Sequence, residues 1–325
     1  MKCNSIPDRR LAPPEHEHFQ NRPTPDKQAS ILVVQAEGKG VPMRTGTEAA
    51  KKVRKTKGEK TSRKKEAVVT SVYTLAPCLR SPDEVVQSLF EGERASQQRP
   101  SPQNKRVFAT LEGKTAALRF TAQQVWRQQG GHIRHQVALT DGSEALQERV
   151  HAQFPDFTLV LDCIHAIEYL WKAANALLGE TALERTDWVK SRVQHMLSGQ
   201  SAVLIADLQS LASTAEAASK KTLLAVAAYY ERNRAFMRYD QYLAAGWPIA
   251  TGVIEGACRH LVKDRGELSG MRWTQAGAEA LLQLRSVAEN GDWESFHAFR
   301  RLQRQQTLYG KTLPSEPQIE LKMAA

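Results

Sequence analysis

Between residues 31 and 165 the sequence returns five times to a short, apolar, β-branched run, and from Ala166 onward it reads as helix. The runs are "ILVVQAEG" from Ile31, "EAVVTSVYTLAP" (66–77), "KRVFATL" (105–111), "HQVALTDG" (135–142) and "FTLVLDCIH" (157–165). Their Val, Ile, Thr and Tyr content favours strand over helix. Helical pieces fall between them. "SPDEVVQSLFEG" (81–92) opens on Ser-Pro-Asp-Glu, a good helix N-terminus. "TAALRFTAQQVWRQQ" (115–129) sets Ala117, Phe120, Val125 and Trp126 near one face and stops at Gly130-Gly131, and "SEALQERVHAQF" is a short third helix. From Ala166 to about Tyr242 the pattern gives three or four amphipathic helices. "GWPIATGVIEGACRHLVKDR" (246–265) breaks at Gly and Pro and starts another, and two more follow at 274–289 and 291–305. This order predicts an α/β fold: a core over 29–165, a helical insertion over 166–245, and core helices over 246–305.

Bulk properties narrow the function. A chain of 325 residues can bury one large core or two modest ones. No run approaches the roughly 18 apolar residues that span a bilayer, and the first residues contain no apolar signal segment. Cys3, Cys78, Cys163 and Cys258 are scattered without a C-x-x-C pair. That spacing argues against a zinc ribbon or disulfide framework and fits a reducing cytosol. There is no G-x-x-x-x-G-K-[ST] and no G-x-G-x-x-G after a strand, so nucleotide-driven chemistry has no support.

The net charge of +10 is unevenly spread. The stretch from Arg44 to Lys65 holds ten Lys or Arg, among them Lys51, Lys52, Arg54 and Lys55, against Glu48 and Glu59. Two compatible readings fit it, a solvated loop and a loop that contacts nucleic-acid phosphates. Residues 1–28 carry five of the fourteen prolines and read as a linker or a stump; 306–325 form a polar tail.

Three of the five runs end in an acid, at Glu37, Asp141 and Asp162, and a fourth acid, Glu255, sits in "TGVIEGACRHLVKDR". Active-site groups of open α/β sheets gather at strand carboxyl ends. Each acid also has a plainer reading. Asp141 before Gly142 and Ser143 suits a turn or helix cap. Asp162 with His165 suits a metal ligand, a carboxylate-oriented imidazole or a structural hydrogen bond. Glu255 suits an exposed pair with Arg259. Around Glu255 gather Arg259, His260, Lys263 and Arg265, with Arg272 and Trp273 further on, groups able to hold phosphate and stack a base. Acids on separated elements are what two-metal phosphodiester chemistry requires.

"LTDGSEALQERVHAQFPDFTLVLDCIHAIEYLWKAANALLGE", "NRAFMRYDQYLAAGWPIATGVIEGACRHLVKDR" and "SGMRWTQAGAEALLQLR" resemble the ISKra-type insertion-sequence transposases, bacterial relatives of the Mutator-like DDE superfamily. The resemblance covers about residues 30 to 300. It implies an RNase H-like (retroviral-integrase-like) core broken by an all-helical insertion before the last acid. It also implies cleavage and strand transfer at terminal inverted repeats, dependent on Mg²⁺ with Mn²⁺ as substitute. Catalytic and metal-binding roles carry over to Glu37, Asp141 and Glu255, with Asp162 and His165 in support. A DNA partner gives the basic and aromatic groups noted above their place, so the expected DNA contacts are Lys39, the basic loop (Lys51, Lys52, Arg54, Lys55), Arg259, Lys263, Arg265, Arg272 and Trp273. The implied partners are inverted-repeat and target DNA and a second copy of the chain, and the implied location is the bacterial cytoplasm, near the nucleoid.

Two departures stand out. The family has Asp, in an Asp-Gly-Lys-Gly context, where this chain has Glu37, and "GEL" replaces a Met-Lys-Arg between Arg265 and Ser269. The chain begins just before the first core strand, which reads as an N-terminally truncated copy. The expectation is a transposase with a bindable metal and impaired chemistry. The alternatives are a non-catalytic DNA-binding remnant and another RNase H-like nuclease.

Overall fold

The computed structural model describes residues 29–44, 64–92, 99–267 and 270–310. The Pro-rich start, Lys51, Lys52, Arg54 and Lys55 of the basic loop, and residues 311–325 lie outside the described residues. Strands β1 (Ile31–Pro42), β2 (Lys64–Leu75), β3 (Gln103–Thr110), β4 (His135–Thr140) and β5 (Thr158–Leu161) form one mixed sheet in the order β3-β2-β1-β4-β5. β1 pairs antiparallel with β2, and β2 with β3; β1–β4 and β4–β5 are parallel. Parallel neighbours need crossovers. Helix α2 (Lys114–Gln128) leads into β4, and α3 (Glu144–Gln153) leads from β4 to β5.

The alternation of β1 decides how helices cover the sheet. Leu32, Val34 and Ala36 point to one face and pack with Leu118 and Val125 of α2 and Leu146 and Val150 of α3. Ile31 and Val33 point to the other, with Val137 and Leu139 of β4. That second face is covered by the helical half of the chain. It comprises α4 (Cys163–Leu178), α5 (Arg185–Leu197), α6 (Ser201–Thr214), α7 (Ala217–Asn233) and α8 (Tyr239–Ala244). Leu170, Val193, Leu204, Tyr230 and Leu243 from these helices share one core with Ile31, Leu139 and Val160. The helices are therefore joined to the sheet by a common apolar interior. Two buried hydroxyls seal the junction: Tyr230 donates to the Ala166 carbonyl at 2.6 Å and Tyr239 to the Leu161 carbonyl at 3.0 Å.

The "SPDE" signal folds as expected for α1 (Pro82–Phe90). Ser81 Oγ accepts from the Glu84 amide at 3.2 Å while the Ser81 amide donates to Glu84 Oε2 at 2.7 Å, a reciprocal capping box. The fifth strand differs from expectation, because it ends at Leu161 and α4 starts at Cys163. Asp162 caps the helix, its Oδ1 accepting from the Ile164 amide at 2.7 Å.

Past α8 the chain forms α9 (Gly252–Cys258), a π-helical turn (Arg259–Lys263), α10 (Asp264–Gly266), α11 (Gln275–Glu289) and α12 (Trp293–Tyr309). Ile254, Ala257, Leu261 and Leu282 cover the β2–β3 end of the sheet through Val69, Val107 and Ala109. Strand β3 is an edge strand, and the residues after α11 close on it. The Asn290 side chain accepts from the Val107 amide at 2.8 Å and donates to its carbonyl at 2.9 Å. Glu279 accepts from the Leu111 amide at 2.6 Å, and Arg106 pairs with Asp292. Among the described residues, no helix is long and apolar enough to cross a membrane.

Candidate active site

The two parallel pairings align three acids. Ala36 is the partner of Thr140, and Thr140 of Leu161. Glu37, Asp141 and Asp162 are each the next residue after that aligned row, and the strands that lead to them are neighbours about 4.8 Å apart. Glu37 does not end its strand, however: β1 runs on to Pro42 because β2 continues the antiparallel ladder, pairing Glu37 with Val69 and Lys39 with Ala67. What ends at Ala36 is the parallel pairing with β4.

On its face of the sheet Glu37 belongs to a polar band between two apolar clusters, with Gln35 before it and Lys39 after. Gln35 is fully buried. Its Oε1 accepts from Ser71 Oγ at 3.2 Å and from the Ile254 amide at 3.0 Å, and its Nε2 donates to Tyr73 Oη at 3.1 Å. The Ile254 amide lies in the first turn of α9, so this glutamine fixes the helix that carries Glu255. Asp162, also fully buried, grips the same helix: its Oδ2 accepts from the Thr251 amide at 3.2 Å and from the Thr251 hydroxyl. Burial raises the Asp162 carboxyl above the ordinary range, opposed by the bonds from Thr251 and Ile164 and by His165. His165, half-buried, has its Nδ1 3.3 Å from Glu168 Oε2.

Glu37 itself is only 5% exposed, and both of its carboxylate oxygens are engaged. Oε1 is paired with the Lys39 ammonium, and Oε2 accepts from Cys258 Sγ at 3.4 Å. Burial pulls the Lys39 ammonium down, but the hydrogen bond and charge of Glu37, with Glu255 adding, carry it above the usual lysine value. Burial pushes the Cys258 thiol up, and the neighbouring Glu37 charge adds to the shift. The thiol is thus a donor and not a thiolate.

Asp141 is half-buried, and its Oδ1 accepts from the Ser143 amide at 2.9 Å, the turn-forming bond its spacing suggested. Helix α7 holds this turn from outside. Tyr229 donates to the Asp141 carbonyl at 3.3 Å, and Arg232 to the Gly142 carbonyl at 3.1 Å. Tyr229 stacks on Tyr169 with ring centroids 3.7 Å apart. Gly142 has φ +82°, and a Cβ there would stand 2.5 Å from the Tyr229 hydroxyl and 2.8 Å from Leu161 Cδ1. Only glycine fits that turn.

Glu255 is exposed and its side chain has no hydrogen bond or ion pair among the described residues. It lies one turn before Cys258, which touches Glu37, so α9 aims it towards the same end of the sheet. Arg259 faces Asp264 at 3.9 Å rather than Glu255, and His260 Nδ1 is 3.2 Å from Asp264. Lys263, Arg265 and Arg272 are exposed. Trp273 is half-buried against the α9–α11 cluster, and its backbone bridges Met43 at the end of β1. Among the described residues, no three His, Cys, Asp or Glu side chains form a group able to hold a metal ion.

Gln35, Cys258, Tyr229 and Arg232 are the site residues that sequence reasoning passed over. Gln35 had a signal, a lone amide inside an apolar strand two residues before an acid. The others had none, since their partners lie 88 to 221 residues away. No family model matches the chain, and no curated protein matches it.

Proposed function

We propose that the chain is a DDE-type transposase core of the ISKra kind, acting in phosphodiester cleavage and strand transfer at DNA ends. The observation that supports this most is the register. Glu37 and Asp141 stand one step beyond the Ala36–Thr140 pair that ends the parallel pairing of β1 and β4, and the helix bearing Glu255 packs over β1 and β2. A sheet ordered β3-β2-β1-β4-β5, with helices interposed before that last acid, is compatible with an RNase H-like core.

The divalent cations implied by the resemblance do not fit these residues as they stand, because Lys39 and Cys258 take both oxygens of Glu37. The chain's own groups contribute in other ways. Glu255, exposed and unpaired among the described residues, is the carboxylate available to take a proton from an attacking hydroxyl. Lys263, Arg265 and Arg272 offer exposed cations to phosphate. The occupied Glu37 favours a second reading, a DNA-binding protein of this fold without catalysis.

Incubating the full chain with Mg²⁺ or Mn²⁺ and oligonucleotides carrying the parent element's ends separates the two. The first reading expects nicked or joined products that vanish in Asp141→Ala. Salt-sensitive DNA binding with no product, even in Glu37→Asp, leaves the second.

A further inference from the structure

The groups around Glu37 form a closed set. The carboxylate sits in the polar band between two apolar clusters, its side chain 6% exposed, with an ammonium on one oxygen and a thiol on the other. Lys39 is two residues along an extended strand, so it emerges on the same face and its four-carbon stem folds back over Glu37. Its side chain remains 28% exposed, so the lysine has a path to solvent. The extra methylene of glutamate carries the carboxylate about 1 Å further from the backbone than aspartate would, towards both partners. A hard divalent cation needs those same oxygens.

We infer that Lys39 is the resident cation of Glu37 and competes directly with divalent metal for that carboxylate. The inference rests on reading Glu37 as the first acid of a phosphodiester-transfer site, but its test needs neither DNA nor turnover. The ammonium neutralises a carboxylate that would otherwise be a buried, unpaired charge, which costs several kcal/mol. Metal can replace it only by displacing Lys39 to solvent, and that displacement is subtracted from the metal's affinity. Lys263 supplies the comparison. Its charge reaches Cys258 beside Glu37, but it has no bond to the carboxylate. Removing it changes the local field and leaves the seat taken.

The experiment is Mn²⁺ binding to the full chain, followed by the electron paramagnetic resonance of free Mn²⁺, with circular dichroism confirming the fold of each variant. Lys39→Met should bind Mn²⁺ about tenfold more tightly than wild type, equivalent to roughly 1.4 kcal/mol. Lys39→Arg, which keeps the charge, should stay within a factor of about two of wild type, as should Lys263→Met. Adding Glu37→Gln to Lys39→Met should abolish the gain. Lys39→Gln replaces the methionine variant if that one does not fold. Unchanged affinity in the neutral variants overturns the inference. So does an equal gain in Lys263→Met, which would mean a general field effect, or a gain that survives Glu37→Gln, which would put the metal elsewhere. The functional reading fails separately, if oligonucleotide nicking persists in Asp141→Ala.

Discussion

Replacing Gln35 with methionine keeps the length of the side chain and removes its donor and both acceptor roles. The loss can be worked through bond by bond. The Ile254 amide loses the Gln35 acceptor but keeps its 3.0 Å bond to the Thr251 carbonyl, so the loss there is a net of about 0.5–1.5 kcal/mol. The Ser71 and Tyr73 hydroxyls each lose one partner, at a net of about 0.5–1.5 kcal/mol apiece. Together the three losses should cost about 1.5–4.5 kcal/mol, a large part of the roughly 5–15 kcal/mol that holds an ordinary domain folded. Urea unfolding measures the total, with an unchanged denaturant slope showing that the unfolded state is not altered. Amide hydrogen exchange measures the local part: Ile254 should lose protection more than α11 does. A loss below about 1 kcal/mol with Ile254 still protected would refute the idea that Gln35 anchors α9.

Other perturbations follow from the same geometry. Gly142→Ala should destabilise by about 2–4 kcal/mol through positive-φ strain and contact with Tyr229, and part of that should be recovered in the double variant with Tyr229→Phe, measured by urea unfolding. Asp162 holds its proton more tightly folded than unfolded, so its contribution is fully present below the unfolded value near 3.8 and is lost as pH rises through the raised folded value. Wild-type stability relative to Asp162→Asn should therefore fall with rising pH across that window, read by urea titrations on either side of it.

Much of the scaffold was legible because it is written locally. Alternating or continuous β-branched runs gave five strands, and Ser81 to Glu84 gave a capped helix. The misjudged boundaries share one cause, that a polar residue's partner decides where an element stops. Asp162 reads as the end of a strand until its oxygen is seen to cap α4, and Glu37 reads as a strand end until β2 is seen to continue alongside. At the site, the alignment of Glu37, Asp141 and Asp162 was foreshadowed by three runs ending in acids. The environment of Glu37 was not, because Cys258 lies 221 residues away and nothing in its local context marks it. Lys39 was visible as a DNA contact, but its ion pair with Glu37, two residues back on the same strand face, was not foreseen.

The amide clasp of Asn290 on Val107 has a consequence for how molecules of this chain can meet. An edge strand with free amides and carbonyls recruits further strands, its own copies included. Here the middle of β3 is already hydrogen-bonded on that side by Asn290, the neighbouring Arg106 side chain is paired with Asp292, and Glu279 holds the Leu111 amide just past the strand, while the opposite edge, β5, is only four residues long. Among the described residues, both edges are thus poor templates for a further strand, β3 because of these bonds and β5 because it is short. The guard is also conditional: should the α11–α12 junction detach, β3 would become an adhesive edge, and partial unfolding there would lead to fibrous self-association.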